Sequence, residues 1–396
     1  MSISYIRLKK GEDRRIRAGH PWIFSNEIAT NITPLKNFTA GQEVLVQAHD
    51  QKPLGIAYVN PHSLITGRLF TRDINQRLDF QFLQRGFEKA LAMRSALFNQ
   101  PYYRLVFSEA DELPGLVIDR FADYLVVQIN TAGMEAKTDI IAEALLAVLP
   151  NTKGILLRND SQSRKYEGLE TFVKAISGDL PQEVKLEEND ISFMTSLWKG
   201  QKTGWFYDHR LNRARLKYYV KNKSVLDVFS YLGAWGIQAA CFGASKVDCI
   251  ESSAYACDFI TQNAKLNQVE NKVKVICDDA FDAMKHLLQN QQTYDVIVLD
   301  PPAFVKKMKD RKEGLIAYQR LNEMALKMLV PGGILISCSC SMHVSMSDLM
   351  EIMQRTAFRL QINVQVLERG HQGPDHPIHI AIPETDYLKA MIVRKI

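Results

Sequence analysis

The chain has 396 residues, 46% hydrophobic and 23% charged, with a formal net charge of +5. These values fit a globular chain with sizeable cores in two or three domains, and no internal repeat or low-complexity stretch interrupts it. A membrane or secreted protein is not expected: no apolar run approaches the length of a span, the first residues lack a hydrophobic leader, and six unpatterned cysteines suit a reducing cytoplasm.

Three spans are expected, 1–72, 73–182 and 183–396. The first holds 10 Lys or Arg against 5 Asp or Glu, which equals the excess of the whole chain. Arg7, Lys9, Lys10, Arg14, Arg15 and Arg17 crowd its start, beside His20 and Trp22. A basic, aromatic-containing module suits RNA phosphates and splayed bases, so Arg14, Arg15, Arg17, His20 and Trp22 are candidates for RNA contact. The plainer reading, which composition alone favours, is a solvated charged face over a core tryptophan.

The second span reads as a small α+β unit. An amphipathic helix covers 80–97, short strands follow at 103–108, 115–119 and 124–130, then a helix at 135–149 and strands at 154–158 and 171–175. It carries no catalytic constellation. A linker near Gly178-Asp179-Leu180-Pro181 and a hairpin-like segment at 185–197 lead into the third span.

There, a buried strand at 224–228 runs into a turn from Phe229 to Gly233 and a helix at 234–242, the start of a doubly wound α/β unit. Phe229 stands where the dinucleotide fingerprint G-x-G-x-x-G has its first glycine, and none follows before Gly233. Such a turn is not built to approach a pyrophosphate, which favours S-adenosylmethionine over NAD and makes Asp227, Phe229, Ser230 and Gly233 cofactor candidates. Glu251, after a strand at 246–250, stands at the spacing for ribose hydroxyls. A strand at 272–276 leads to Asp279, for the adenine amino group, and Phe281, to stack. The continuous apolar run at 294–299 ends in Asp300-Pro301-Pro302, where the prolines make a stiff rim. A helix over 315–329, stopped by Pro331-Gly332-Gly333, and a strand at 334–337 complete the unit. Asp227, Glu251, Asp279, Asp300 and Cys340 then converge at the carboxyl ends of the strands.

These residues carry a family resemblance. Asp227-x-Phe229 to Gly233, Asp300-Pro301-Pro302-x-Phe304 and Ser339-Cys340-Ser341 resemble motifs I, IV and VI of RlmI-type class I methyltransferases, which act on cytosine C5 in 23S rRNA. Lys202-Thr203-Gly204-Trp205-Phe206-Tyr207-Asp208-His209-Arg210 is similar to that family's segment near the methionine end of the cofactor, which implies roles for Lys202, Thr203, Gly204, Tyr207, Asp208 and Arg210. Gly19-His20-Pro21-Trp22 resembles the opening of its PUA domain, and Asp375-His376-Pro377 is also matched. The implied fold is α/β: a Rossmann-like class I methyltransferase domain with a mostly parallel doubly wound sheet, an N-terminal β-rich PUA domain and a small central α+β domain.

The implied chemistry needs a cysteine. Cytosine C5 is a poor nucleophile until a thiolate adds to C6, after which C5 behaves as an enamine and can take a sulfonium methyl group. Cys340 is the expected nucleophile, and Cys338 is read as a small buried hydrophobe. Two-cysteine enzymes carry a second thiol just after the motif IV proline, where this chain has Ala303, so the base that removes the C5 proton is unassigned. Asp300 is expected either to hydrogen-bond the cytosine's N3 and N4 edge, drawing electrons from the ring as well if it does so protonated at N3, or only to cap its loop; Pro301 is placed beside the cofactor.

No metal is expected, since Cys338-x-Cys340-x-x-His343 offers three ligands where structural zinc takes four. Lys306 and Lys307, in the basic stretch after the motif IV prolines, are candidates for RNA phosphates or belong to an exposed loop. The expected partner is 23S rRNA, naked or in an assembly intermediate, with a homodimer left open. The alternatives are a guanine-nitrogen methyltransferase, which needs no motif VI cysteine, and a non-catalytic RNA-binding protein that retains the cofactor fold.

Overall fold

Short β-branched runs bounded by turns pair as a seven-stranded sheet in the computed structural model, which describes residues 3–396. The strands are β1 (Ser224–Val228), β2 (Lys246–Glu251), β3 (Val273–Cys277), β4 (Tyr294–Leu299), β5 (Leu329–Ser339), β6 (Val364–Gly370) and β7 (Lys389–Lys395). Their order is β3-β2-β1-β4-β5-β7-β6; β7 is antiparallel to both neighbours and the other pairings are parallel. Helices α1 (Ala234–Cys241), α2 (Ala254–Leu266), α3 (Ala280–Gln289), α4 (Arg311–Met328) and α5 (Met346–Leu360) connect them. Strand order reverses between β1 and β4, and the crevice at the carboxyl ends there is where doubly wound sheets take ligands.

One apolar cluster holds Leu226, Ile297, Leu299, Tyr318, Leu321, Leu335, Met353 and Met391, which seats α4 and α5 on the sheet. Helix α5 starts with a reciprocal cap between Ser345 and Asp348, a device that stabilises a helix by about 1 kcal/mol.

Two expectations here are corrected. The helix expected from 315 starts at Arg311, whose guanidinium pairs with Asp348 at 2.7 Å. Gly314 permits this close start, because a Cβ there would lie 2.3 Å from Val305 Cγ2. Nor does Pro331-Gly332-Gly333 separate helix from strand. Strand β5 begins at Leu329, opposite Tyr294, and a register shift between Tyr294 and Val296 absorbs the irregular residues.

The chain forms two compact units. The one just described holds Lys185–Thr195, Asp208–Gly373 and Asp386–Ile396. The other holds the residues up to Val184, Ser196–Tyr207 and Pro374–Thr385. It contains two five-stranded sheets, one in the order Tyr5–Arg7, Gln42–Gln47, Pro53–Val59, Ile65–Thr71, Trp22–Phe24 and one in the order Phe172–Gly178, Gly154–Asn159, Tyr124–Ile129, Leu116–Phe121, Tyr102–Phe107. Helices Phe80–Leu97 and Thr138–Val148 belong with the second sheet.

The spans expected as 1–72 and 73–182 thus share one unit. Ile56, Tyr58 and Phe70 join the core of the second sheet, and Tyr58 Oη donates to Pro114 O at 2.6 Å. Two pieces of the expected third span are drawn into the same unit by buried arginines. Arg158 donates to Leu197 O and Gly200 O, each at 2.9 Å, and Arg94 donates to Asp375 O at 2.8 Å.

Candidate active site

Strand β1 ends in a turn where Phe229 and Tyr231 have positive φ, 65° and 50°. Side-chain-bearing residues there cost about 1–2 kcal/mol each and persist only where the surroundings over-determine them. Ser230 N donates to Ile250 O at 3.0 Å, Ser230 Oγ to Asp227 O at 2.8 Å, and Tyr231 N to Glu251 Oε2 at 2.9 Å. Gly233 follows with φ 84°, and a Cβ there would lie 2.9 Å from Ile237 Cγ1, so the lone glycine is required where the chain enters α1.

Beneath the turn Asp227 is fully buried. Its Oδ2 accepts from Gly236 N at 2.9 Å, and Oδ1 has no hydrogen-bond partner. Burial pushes its carboxyl up to about 7, against the pull of Ser230 and Gly236. The side chains of Asp227 and Ser230 both turn inward and build the turn. Phe229, half-buried, faces outward and packs edge-on against Phe304 at 6.4 Å.

Glu251, at the end of β2, accepts Tyr231 N on one oxygen and Ser253 N on the other, at 2.9 and 2.8 Å, leaving lone pairs on both for a diol. Asp279 is exposed and caps α3 by accepting from Phe281 N and Asp282 N through Oδ1. Phe281 lies 6.3 Å from Phe304, with the Arg320 guanidinium 5.0 Å from its ring. An apolar wall of Phe229, Phe281 and Phe304 beside a carboxylate with open lone pairs fits an adenosine. The turn, with a single glycine, has no nest of backbone N–H groups for a pyrophosphate. The residues present therefore fit S-adenosylmethionine.

Asp300, half-buried at the end of β4, accepts a hydrogen bond on one oxygen and has the His209 ring beside the other. Trp235 Nε1 donates to Oδ2 at 3.0 Å, and His209 Nε2 lies 3.2 Å from Oδ1. Asn212 fixes the imidazole: its amide nitrogen donates to His371 O and lies 3.2 Å from His209 Nδ1, which leaves the ring N–H on the Asp300 side. Burial would raise the Asp300 carboxyl, but His209 and the Trp235 N–H outweigh it and hold it below the ordinary carboxylate range. These partners favour the charged form of Asp300. Pro301 is buried and Pro302 exposed at the rim.

Cys338 in β5 is fully buried, and burial drives its thiol well above the usual range. Cys340, just past the end of β5, is half-buried, with Sγ 3.9 Å from the Pro301 carbonyl oxygen. Among the described residues one potential metal-ligating group forms, His209, Asp300 and Cys338, with ligand atoms within 4.8 Å of one another. It excludes Cys340 and His343, falls short of the four ligands of structural zinc, and uses a carboxylate already held by Trp235.

The segment expected at the methionine end divides between the units. Lys202, Thr203, Gly204 and Tyr207 belong to the unit with the two five-stranded sheets. Thr203 and Tyr207 are enclosed there, with the Thr203 hydroxyl on Asp119 and Tyr207 Oη donating to Arg120 O at 3.0 Å. Lys202 is exposed, 4.6 Å from the Phe206 ring, and Gly204 has φ 107°. Asp208 and Arg210 are buried in the sheet's own unit. Asp208 Oδ2 accepts from Tyr387 Oη at 2.6 Å, and Arg210 stands 3.8 Å from Glu188.

The basic N-terminal candidates also divide. Trp22 Nε1 donates to Glu109 at 2.7 Å, Arg68 pairs with Glu109 at 2.9 Å and Glu167 at 3.4 Å, and the Arg68 guanidinium lies 5.6 Å from the Trp22 ring. Buried His20 contacts Arg15, which pairs with Glu27 at 2.7 Å. Trp22, His20 and Arg15 thus take part in a network within this unit. Arg14 and Arg17 are exposed, Arg17 paired with Asp13, and Lys306 and Lys307 are exposed with no ion pair among the described residues.

Sequence reasoning missed His209, Asn212, Trp235 and Tyr318. His209 lies inside a quoted motif and Trp235 two residues past another, but only folding aims them at Asp300.

Residues 6–72 match the model of a PUA-like domain, and residues 161–394 match that of an S-adenosylmethionine-dependent methyltransferase. The chain is 38% identical to ribosomal RNA large subunit methyltransferase I of Shewanella frigidimarina over 98% of both chains. It is 35% identical to the protein of that name from Aliivibrio fischeri over 100% of both. Among solved structures, a Streptococcus mutans chain assigned to the S-adenosylmethionine-dependent methyltransferases superposes with a TM-score of 0.83 at 20% identity, over 99% of this chain and 100% of that one. At that identity the likeness shows the fold.

Proposed function

This chain belongs to the S-adenosylmethionine-dependent methyltransferases, in the family of ribosomal RNA large subunit methyltransferase I, and from that premise we propose that it forms 5-methylcytosine in 23S rRNA with Cys340 as the covalent nucleophile. It is an enzyme, and its cofactor is S-adenosylmethionine. The observation that carries the cysteine assignment is the place of Cys340, half-buried at the carboxyl edge beside the Pro301 carbonyl, while Cys338 two residues earlier is sealed.

When bound, S-adenosylmethionine supplies an electrophilic methyl group, and Glu251, Phe229, Phe281 and Asp279 are the residues that would hold its adenosine. The Cys340 thiolate adds to cytosine C6, forming a C–S bond and moving electron density to C5. After C5 is methylated, loss of its proton to a base drives elimination of the thiolate and restores the aromatic ring. Asp300, charged and gripped by Trp235 and His209, accepts from the cytosine amino group and fixes the ring over the thiol. The base must be presented unstacked for the sulfur to reach C6, as for other enzymes that work on a nucleobase.

Arg14, Arg17, Lys306 and Lys307 supply phosphate contacts in this reading. The partner is 23S rRNA, naked or in an assembly intermediate, the site of action is the cytoplasm, and a homodimer is compatible with it. No helix among the described residues is long and apolar enough to cross a membrane.

The test is a trap. In rRNA transcribed with 5-fluorocytidine, C5 carries fluorine in place of the proton that must leave, so the C6–S bond persists after methylation. The expected result is a protein–RNA adduct that survives denaturation, maps to the Cys340 peptide and is absent in Cys340→Ala. Methylation at a normal rate by Cys340→Ala, or a product methylated on guanine, overturns the reading.

A further inference from the structure

The two serines that bracket Cys340 converge on one buried phenol. Ser339 Oγ donates to Tyr318 Oη at 2.9 Å, and Ser341 Oγ lies 2.9 Å from the same oxygen. Ser341 Oγ also accepts from Val305 N at 3.1 Å, which ties the cysteine to the chain just after Asp300-Pro301-Pro302. From β7, Lys389 reaches the same point: its Nζ donates to the Ser341 and Tyr387 carbonyl oxygens, both at 2.7 Å.

Lys389 is 7% exposed, and its hydrogen-bond partners are carbonyls, with no carboxylate ion pair among the described residues. A buried ammonium without a counter-ion is costly, so its presence calls for a reason. Burial lowers its pKa to about 8, and the first opposing influence is Cys340, ahead of Asp386 and Asp348. Attraction between two groups is mutual, so an ammonium favoured by a nearby thiolate favours that thiolate in turn. Tyr318 on α4 and Cys338 in β5 both feel Cys340 and are both raised and neutral at pH 7, and Asp300, Arg213 and Asp208 act on Cys338.

We propose that Lys389 is a positioning residue for Cys340: held between two carbonyls, its ammonium favours the thiolate, while Tyr318 and the flanking serine hydroxyls fix where the sulfur points. The thiol proton passes to water, and nothing is oxidised or reduced. This rests on the reading of Cys340 as the nucleophile.

The test follows alkylation of Cys340 in the full-length protein by iodoacetamide across pH, read on its own peptide by mass spectrometry because Cys241 and Cys277 are also exposed. In the wild type the Cys340 midpoint is expected below the ordinary thiol value of about 8.5. In Lys389→Met it rises, so that alkylation at pH 7 slows about tenfold, and Lys389→Arg restores most of the rate. Tyr318→Phe lowers kcat with KM unchanged and leaves the alkylation midpoint in place. A wild-type midpoint at or above the ordinary value overturns the proposal, and needs no variant to fold. So does an unchanged profile in folded Lys389→Met. Failure of the nucleophile assignment shows separately, as normal turnover by Cys340→Ala whatever the alkylation profile.

Discussion

The N-terminal sheet and the carboxyl edge of the seven-stranded sheet are built from similar side chains, with opposite outcomes. Near the N-terminus an indole, a guanidinium and two carboxylates close on each other: Trp22 on Glu109, and Arg68 on Glu109 and Glu167. At the carboxyl edge an indole and an imidazole also grip a carboxylate, yet Asp300 stays half-exposed between β4 and the cysteine segment. A polar cluster in a packed interior is a structural joint, whereas the same cluster at a strand-order reversal keeps a face for a ligand.

The sharpest way to break the comparison is at the two cysteines. Cys340→Ala is expected to lower turnover by about 10⁴-fold or more, with cofactor binding measured by calorimetry unchanged. Cys338→Ala should keep activity and lose about 1–2 kcal/mol of stability by denaturant melts, the signature of a buried small side chain. Activity lost in Cys338→Ala instead would move the nucleophile by two residues.

Arg68→Met attacks the closed joint. It leaves Glu109 and Glu167 buried without their cation, so stability is expected to fall by about 3–5 kcal/mol. Turnover per folded molecule should not change; a selective loss of activity would mean that this network does more than join two sheets.

A fourth variant, Asp227→Asn, reads the pH dependence of the turn. The folded carboxyl sits near 7, above its unfolded value, so the folded state binds the proton more tightly. That contribution is complete below the unfolded pKa and is lost as pH rises through about 7. The amide variant, which never ionises, should therefore melt higher than wild type at pH 8, by a few degrees for about 1 kcal/mol, with the gap closing toward pH 5. A gap that does not depend on pH removes the buried charge as its cause.

The smallest effect belongs to the exposed charges. Lys306→Ala and Lys307→Ala should each weaken rRNA binding severalfold and reduce the salt slope by about one unit, with kcat preserved. Binding that keeps its salt slope would take the basic loop out of the RNA footprint.

Much of the sheet was legible in the sequence because a buried strand shows as a short, mostly apolar, β-branched run. Strands β1 and β4 fall where the runs at 224–228 and 294–299 put them. The start of α4 was not legible, since it depends on a pair between Arg311 and Asp348, far apart in the chain. The motifs located the site, and the fold then sorted their residues. Glu251, Phe229, Phe281, Asp300 and Cys340 face the carboxyl edge, while Asp227 and Ser230 turn inward to support it, and Thr203 and Tyr207 are enclosed in the other unit.

Local spacing by itself therefore determined the doubly wound sheet, the cofactor class and the cysteine that stands past β5, because those depend on runs and turns of a few residues. Tertiary packing alone decided which acids keep open lone pairs, which arginines and aromatics are enclosed, and that Lys389 and Tyr318 close on the residues around Cys340. Burial and charge pairing are properties of neighbours in space, and those neighbours lie tens to hundreds of residues apart along the chain.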